Sequence, residues 1–266
     1  MIARLTLYGA AVVLALFLGL PVAALVARAI GGGAIATALT SSSVLDALVL
    51  SLLTTSVSLV LTVVVGLPLA VVLARRRFAG KRLVEALIDL PIVLPPSVAG
   101  LSLLLVFGRR GALGPPLEAF GLTIPFTTIA VVMAQAFVSA PFFVRSARAG
   151  IAGVDRDIED AARADGASEL ELFRTITVPL AGAALAAGLV MTWARALGEF
   201  GATIMFAGNV EGRTQTLPLV VYATFGAGDL DASVAAAAIL VLAAFSVLTA
   251  VRVFHWSRAL DVRAAA

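Results

Sequence analysis

Six apolar runs, each long enough to cross a bilayer, constrain this chain more than anything else in it. A spanning helix needs about 20 apolar residues. The qualifying stretches lie at about 5–28, 46–74, 86–107, 122–147, 180–206 and 233–254. So many runs within 266 residues leave little chain for a soluble core. Charged residues make up 13% of the sequence, against about 25% in soluble proteins. The expected class is an all-α membrane protein with six transmembrane helices, in a single transmembrane domain over residues 1–266. The first run imitates a secretory signal, with Arg4 before it and Ala27-Arg28-Ala29 after it. A signal's apolar core is only about 7–15 residues long, so an uncleaved first helix is expected instead. There is no cysteine and only one histidine, His255, which closes off thiolate metal sites and most histidine chemistry. No metal site and no catalytic residue is expected.

Two runs carry internal breaks. The second contains Pro68 near its end, a kink candidate because proline removes a backbone donor. The third opens with Leu90-Pro91-Ile92-Val93-Leu94-Pro95-Pro96-Ser97-Val98-Ala99-Gly100. Three prolines so close together cannot continue a regular helix. Broken backbone is not tolerated against lipid, so this stretch belongs at the interface or among other helices. Such breaks often border transporter substrate sites; a kinked helix start is the plainer reading. Gly31-Gly32-Gly33 and Ser41-Ser42-Ser43 read as a short flexible connection, and residues 108–116 as a turn-dense loop. Leu217 to Phe225 is apolar but too short to span. It reads as an interfacial or re-entrant helix with Pro218 in its first turn.

Basic residues give an orientation. One alternate set of loops receives Arg4; Arg75, Arg76, Arg77, Lys81 and Arg82; Arg145, Arg148, Arg156, Arg163 and Arg174; and Arg252, Arg258 and Arg263. The other receives only Arg28, Arg109, Arg110 and Arg213. Cytoplasmic loops hold the Lys/Arg excess, so both termini and the loop at about 148–178 are expected in the cytoplasm. The same clustering beside apolar runs accounts for the positive net charge without nucleic acid.

That cytoplasmic loop is the longest polar interval in the chain. Asp155, Arg156, Asp157, Glu159, Asp160, Arg163 and Asp165 surround small alanines, and Gly166 separates two short helical pieces. With no apolar stripe to bury in lipid, it reads either as a docking surface for a soluble partner or as a solvated loop.

Charge also occurs inside the fifth run. Arg195 and Glu199 stand four apart, on one helical face and able to pair. Each costs at least about 2.5–3.5 kcal/mol near mid-bilayer, so neither should face lipid. Two readings are open: a pathway face in which Arg195 attracts an anion, or an ion pair locking two helices or two subunits. Gly198 and Gly201 permit close helix approach under either. Thr203, Ser97, Ser102, Gln135 and Ser139 are the remaining candidates, and polar residues within the runs otherwise read as few.

The polar loop resembles the ATPase-docking loop of permeases in binding-protein-dependent ABC importers. That family's pattern is Glu-Ala-Ala, three residues, Gly, nine residues, Ile, one residue, Leu-Pro. Asp160-Ala161-Ala162, Gly166, Ile176 and Val178-Pro179 fall at those spacings. Asp160 replaces the glutamate, Val178 replaces the leucine, and Glu159 is a second source for the carboxylate. The likeness extends to residues 89–100, to 194–203, to Gly208-Asn209 and to 214–219. These stretches resemble the tetrahedral-oxyanion branch, above all the molybdate type, with sulfate, thiosulfate and tungstate as alternatives. The resemblance implies an importer permease fold with a cytoplasmic coupling helix in a bacterial-type inner membrane. It also implies a permease homodimer, a pair of ATPase subunits that use ATP and Mg, and an extracytoplasmic binding protein. The chain has no Gly-x-x-x-x-Gly-Lys-Ser/Thr sequence, so it is expected to bind no cofactor and to borrow its motor. An ion-gradient-driven transporter coupled through Arg195 and Glu199, or a membrane anchor, are the readings from other classes.

Overall fold

The computed structural model describes the main chain of residues 2–264, and side-chain surroundings from 6 to 249 except at 34. The side chains of Arg4, Arg252, His255, Arg258 and Arg263 lie outside the described residues. All regular structure among the described residues is helical. In chain order the helices are α1 (Ile2–Gly31), α2 (Ala34–Thr40), α3 (Ser42–Arg75), α4 (Lys81–Val93), α5 (Pro96–Phe107), α6 (Gly114–Ala119) and α7 (Thr128–Ala152). They continue as α8 (Arg156–Ala164), α9 (Glu169–Leu172), a π-helical turn (Phe173–Thr177), α10 (Val178–Leu180), α11 (Gly182–Leu197), α12 (Gly201–Phe206), α13 (Leu217–Gly226) and α14 (Leu230–Ala264).

Four of these, α1, α3, α7 and α14, are long and apolar enough to cross a membrane. The other two apolar runs are bent. Helices α4 and α5 meet at 119°, and the α9–α10 segment meets α11 at 74°. Proline chemistry accounts for the first bend. A residue before proline avoids the helical region, and Leu94 is extended at φ −66°, ψ 133°. Helix α5 then restarts with Pro96 in its first turn, where no amide is needed. The run 86–107 is therefore two helices rather than one. Helix α5 alone, at 12 residues, is about 18 Å long, short of a hydrocarbon core of about 30 Å. The run 180–206 is likewise divided, between α11 and α12.

Two connections are more ordered than expected. Between the glycine and serine triplets, α2 forms because Ala38 buries against Val44, Ala47, Leu217, Val220 and Ala235. In the 108–116 loop, Pro115 and Pro116 open α6 instead of a turn.

The centre is α3, α7 and α11, joined through small residues. A Cβ at Gly150 of α7 would lie 2.5 Å from Ala184 Cβ, and one at Gly188 of α11 would lie 2.9 Å from Ser146 Cβ. Ser146 also donates to the Ala184 carbonyl at 2.7 Å. Helices α5 and α12 approach as closely, with Gly100 set against Ala202 and Gly201 against Pro96. Polar residues inside the runs prove not to be few. Ser51, Thr54, Thr55, Ser58 and Thr62 are all buried along one face of α3. Their spacing of three, four and seven is the helical period. By contrast, the spanning window of α1 has none of its residues buried in the fold.

Candidate functional site

Helix α8 is capped by Asp155, whose carboxylate accepts from the Asp157 amide at 3.0 Å. Asp157 and Glu159 in the first turn and Arg163 in the last complement the helix dipole. The chain then turns at Gly166, whose φ of +91° lies in the left-handed region. Ser168 opens α9 with a capping box: its hydroxyl accepts from the Glu171 amide, and the Glu171 carboxylate accepts from the Ser168 amide. The Ser168 amide and, after it, the Ser168 hydroxyl donate to the Glu171 carboxylate and hold it below its ordinary range. Arg163 straddles the elbow, donating to Asp160 and to Glu169, each at 2.7 Å. Its hydrogen bond holds the Glu169 carboxyl low and its own guanidinium protonated. No atom would lie within 4 Å of a Cβ at Gly166, so Gly166→Ala is penalised only through the backbone, by about 1–2 kcal/mol. Hydrogen exchange across residues 164–168 should quicken by about tenfold, with the chain still inserted in the membrane.

What fastens this arm to the rest is Glu159. It is 3% exposed, receives the Arg75 guanidinium, and accepts from the Thr177 hydroxyl at 2.8 Å. One buried carboxylate thus ties α8 to the end of α3 and to the π turn. Asp160, one residue on, is exposed, and its carboxylate pairs with Arg163. Ala161 and Gly166 are exposed, and Ala162 and Ile176 are half-buried. Pro179 is exposed just after the π turn. Proline crowds the carbonyl four residues back, and the wider turn, closed by Val178 N–H on the Phe173 carbonyl, accommodates it.

The other candidates gather at the breaks. Helix α11, at 16 residues, sets them about 24 Å from the arm. The helix ends at Gly198, which is exposed, while Glu199 is 1% exposed. Arg195 Nη1 lies 2.8 Å from Glu199 Oε2, off the hydrogen-bond axis. Glu199 Oε1 accepts the Ala202 amide at 2.7 Å and so starts α12. The pair therefore stays within one chain segment and spans the break. Thr203, fully buried, leaves its hydroxyl without a partner. Exposed Ser97 sits at the facing break, with its amide 3.3 Å from a Cβ placed at Gly201. The structure thus brings Arg195, Gly198, Glu199, Thr203 and Ser97 to one crossing of two interrupted helices. Gln135 donates to Thr55 at 3.4 Å, a weak bond. Its carbonyl oxygen and the hydroxyls of Ser139, Ser58 and Thr62 have no partner among the described residues. The α3 hydroxyls escaped the sequence reading, although their helical spacing was a usable signal.

Residues 66–259 match the family described as "Binding-protein-dependent transport system inner membrane component". The molybdenum transport system permease protein ModB of Mycobacterium tuberculosis is 44% identical over 213 residues, 80% of each chain. The sulfate transport system permease protein CysT of Salmonella typhimurium is 35% identical over 209 residues, 79% of this chain and 76% of that one. In fold, the chain resembles a solved bacterial ABC transporter involved in import of the acidic polysaccharide alginate. The TM-score is 0.76 at 17% identity, covering 97% and 95% of the two chains. An all-helical membrane chain with interrupted helices and a polar arm, matched along most of its length, belongs to the binding-protein-dependent family of ABC importer permeases.

Proposed function

We propose that this chain is the permease subunit of an importer for a tetrahedral oxyanion, molybdate before sulfate, tungstate or thiosulfate. It has no ATPase site and binds no cofactor. A separate pair of ATPase subunits consumes ATP and Mg, and an extracytoplasmic binding protein delivers the anion. Two copies of the chain enclose the path. The arm from Arg156 to Leu180 is the docking element, through Asp160, Ala161, Ala162, Gly166, Ile176 and Pro179, with Glu159 fastening it. Both termini and the arm face the cytoplasm. The observation that carries this reading is the buried Arg75–Glu159–Thr177 contact. A solvated loop has no need of a buried carboxylate held by two other elements, whereas a part that transmits force does. The break at Gly198–Phe200, with Arg195 and Glu199, serves as pathway or gate.

Molybdate is favoured by the higher identity to ModB, 44% against 35% for CysT. The deciding experiment is co-expression with a candidate ATPase and binding protein, followed by uptake of labelled molybdate and labelled sulfate. Stoichiometric co-purification with the ATPase and ATP-dependent molybdate uptake are expected. Uptake driven by an ion gradient with no ATPase bound would replace this reading with the secondary transporter. ATP-dependent uptake of sulfate alone would overturn only the choice of anion.

A further inference from the structure

Helix α4 divides its chemistry between two faces. Glu85 and Asp89 face α7 and pair with Arg148 at 2.6 Å and Arg145 at 3.4 Å. The outward face is wholly apolar, with Leu83, Leu87 and Leu90 exposed at helical spacing. Just before the helix, the chain turns at Gly80, φ +87°. Around that turn Arg77 and the first two residues of α4, Lys81 and Arg82, line a hollow of about 310 Å³. Among the described residues, no carboxylate pairs with any of the three. Further along, Leu87 and Pro91 form one wall of a groove of about 400 Å³ whose other walls include Leu61, Val65 and Leu69 of α3 and Phe137 of α7. Its polar exception is Thr62, buried and with an unpartnered hydroxyl.

A cationic hollow and an apolar groove therefore lie in series along one helix. From Lys81 to Leu87 is about 9 Å along the axis, and to Pro91 about 15 Å. That is the layout of an amphiphile with an anionic head and a long tail. An acidic peptide would satisfy the three cations and leave the groove empty. A zwitterionic lipid would set its own ammonium against them. Clusters of basic residues at the membrane surface attract anionic lipid in just this way.

We propose that the turn before α4 and the α3–α4–α7 groove form a binding site for one anionic glycerophospholipid. Its phosphate sits on Arg77, Lys81 and Arg82, and an acyl chain lies along Leu83 and Leu87 into the groove. The site shares no residue with the arm or the crossing, and it does not depend on which anion is carried.

The test uses the full chain in nanodiscs of phosphatidylethanolamine doped with a photo-crosslinking phospholipid. Phosphatidylglycerol should be captured on residues 61–69 and 83–91 in clear preference to a phosphatidylethanolamine probe of the same chain. Replacing Arg77, Lys81 and Arg82 singly by glutamine should lower capture by about fivefold per residue. Raised salt on the unaltered chain should weaken capture too, which covers variants that fail to fold. Inorganic phosphate at matched ionic strength should not compete. Equal capture of both lipids, displacement by phosphate, or a Leu87→Cys chain cross-linking to a second copy through the groove would each overturn the proposal. No ATPase is present in the experiment, so its outcome is independent of the importer reading.

Discussion

Glu159→Ala should release the arm. Removing one partner of a buried ion pair costs about 3–5 kcal/mol, because the other charge is left unpaired. Arg75 keeps 17% of its side chain exposed, so water can partly re-solvate it and the lower end applies. About 3 kcal/mol shifts the fastened-to-loose ratio of the arm by roughly two orders of magnitude. Hydrogen exchange over residues 156–180 should rise to match, and ATP-driven uptake should be lost while the chain remains inserted. Asp160→Ala is the control for fastening. Its pair with Arg163 is exposed, where such bridges contribute about 0–1 kcal/mol. Exchange over the arm should then change by no more than a few-fold. If Asp160→Ala loosens the arm more than Glu159→Ala, the fastening role given to Glu159 is wrong.

A single methyl group at Gly100 should be enough to spoil the crossing. A Cβ there would meet the Ala202 carbonyl oxygen at 2.6 Å, Met205 Cβ at 2.7 Å and Ala202 Cα at 2.8 Å. Two of those three are backbone atoms, which cannot swing away as a side-chain tip can. Overpacking costs about 1–3 kcal/mol, occasionally more, and this site belongs at the top of that range. Gly100→Ala should lower the melting temperature and disturb α12, whose first turn depends on Glu199. Gly182→Ala, in the first turn of α11 with nothing within 4 Å, should change stability by no more than about 0.5–1 kcal/mol. Equal melting of the two variants would mean that α5 and α12 do not approach as described.

Local and long-range forces shape different parts of this fold. Long apolar runs, the proline break at 94–96 and the elbow at Gly166 are local properties, and all were legible. So was α13, with Pro218 in its first turn. The choice between Glu159 and Asp160 was not legible. Successive helical residues point about 100° apart, and only the arrival of Arg75 from a distant helix decides which of them is buried. Helix α2 was missed for a similar reason. Seven residues form no stable helix alone, and Ala38 finds its partners on α13 and α14. The break at Gly198–Phe200 also has no proline to announce it. It is held by Glu199 taking the Ala202 amide, and by Phe200 against Tyr222 with ring centroids 5.0 Å apart.

Helix α3 links the arm to the far side of the fold. Its 34 residues make a rod about 51 Å long. One end holds Arg75. About 36 Å away, Ser51 accepts the Leu217 amide at 2.7 Å and so grips the start of α13. A sideways displacement of about 5 Å at Arg75 turns the roughly 36 Å between it and Ser51 by about 8°. Between those points only the buried hydroxyls of Ser58 and Thr62 lack a partner among the described residues, so a tilt of the shaft breaks no hydrogen bond at either.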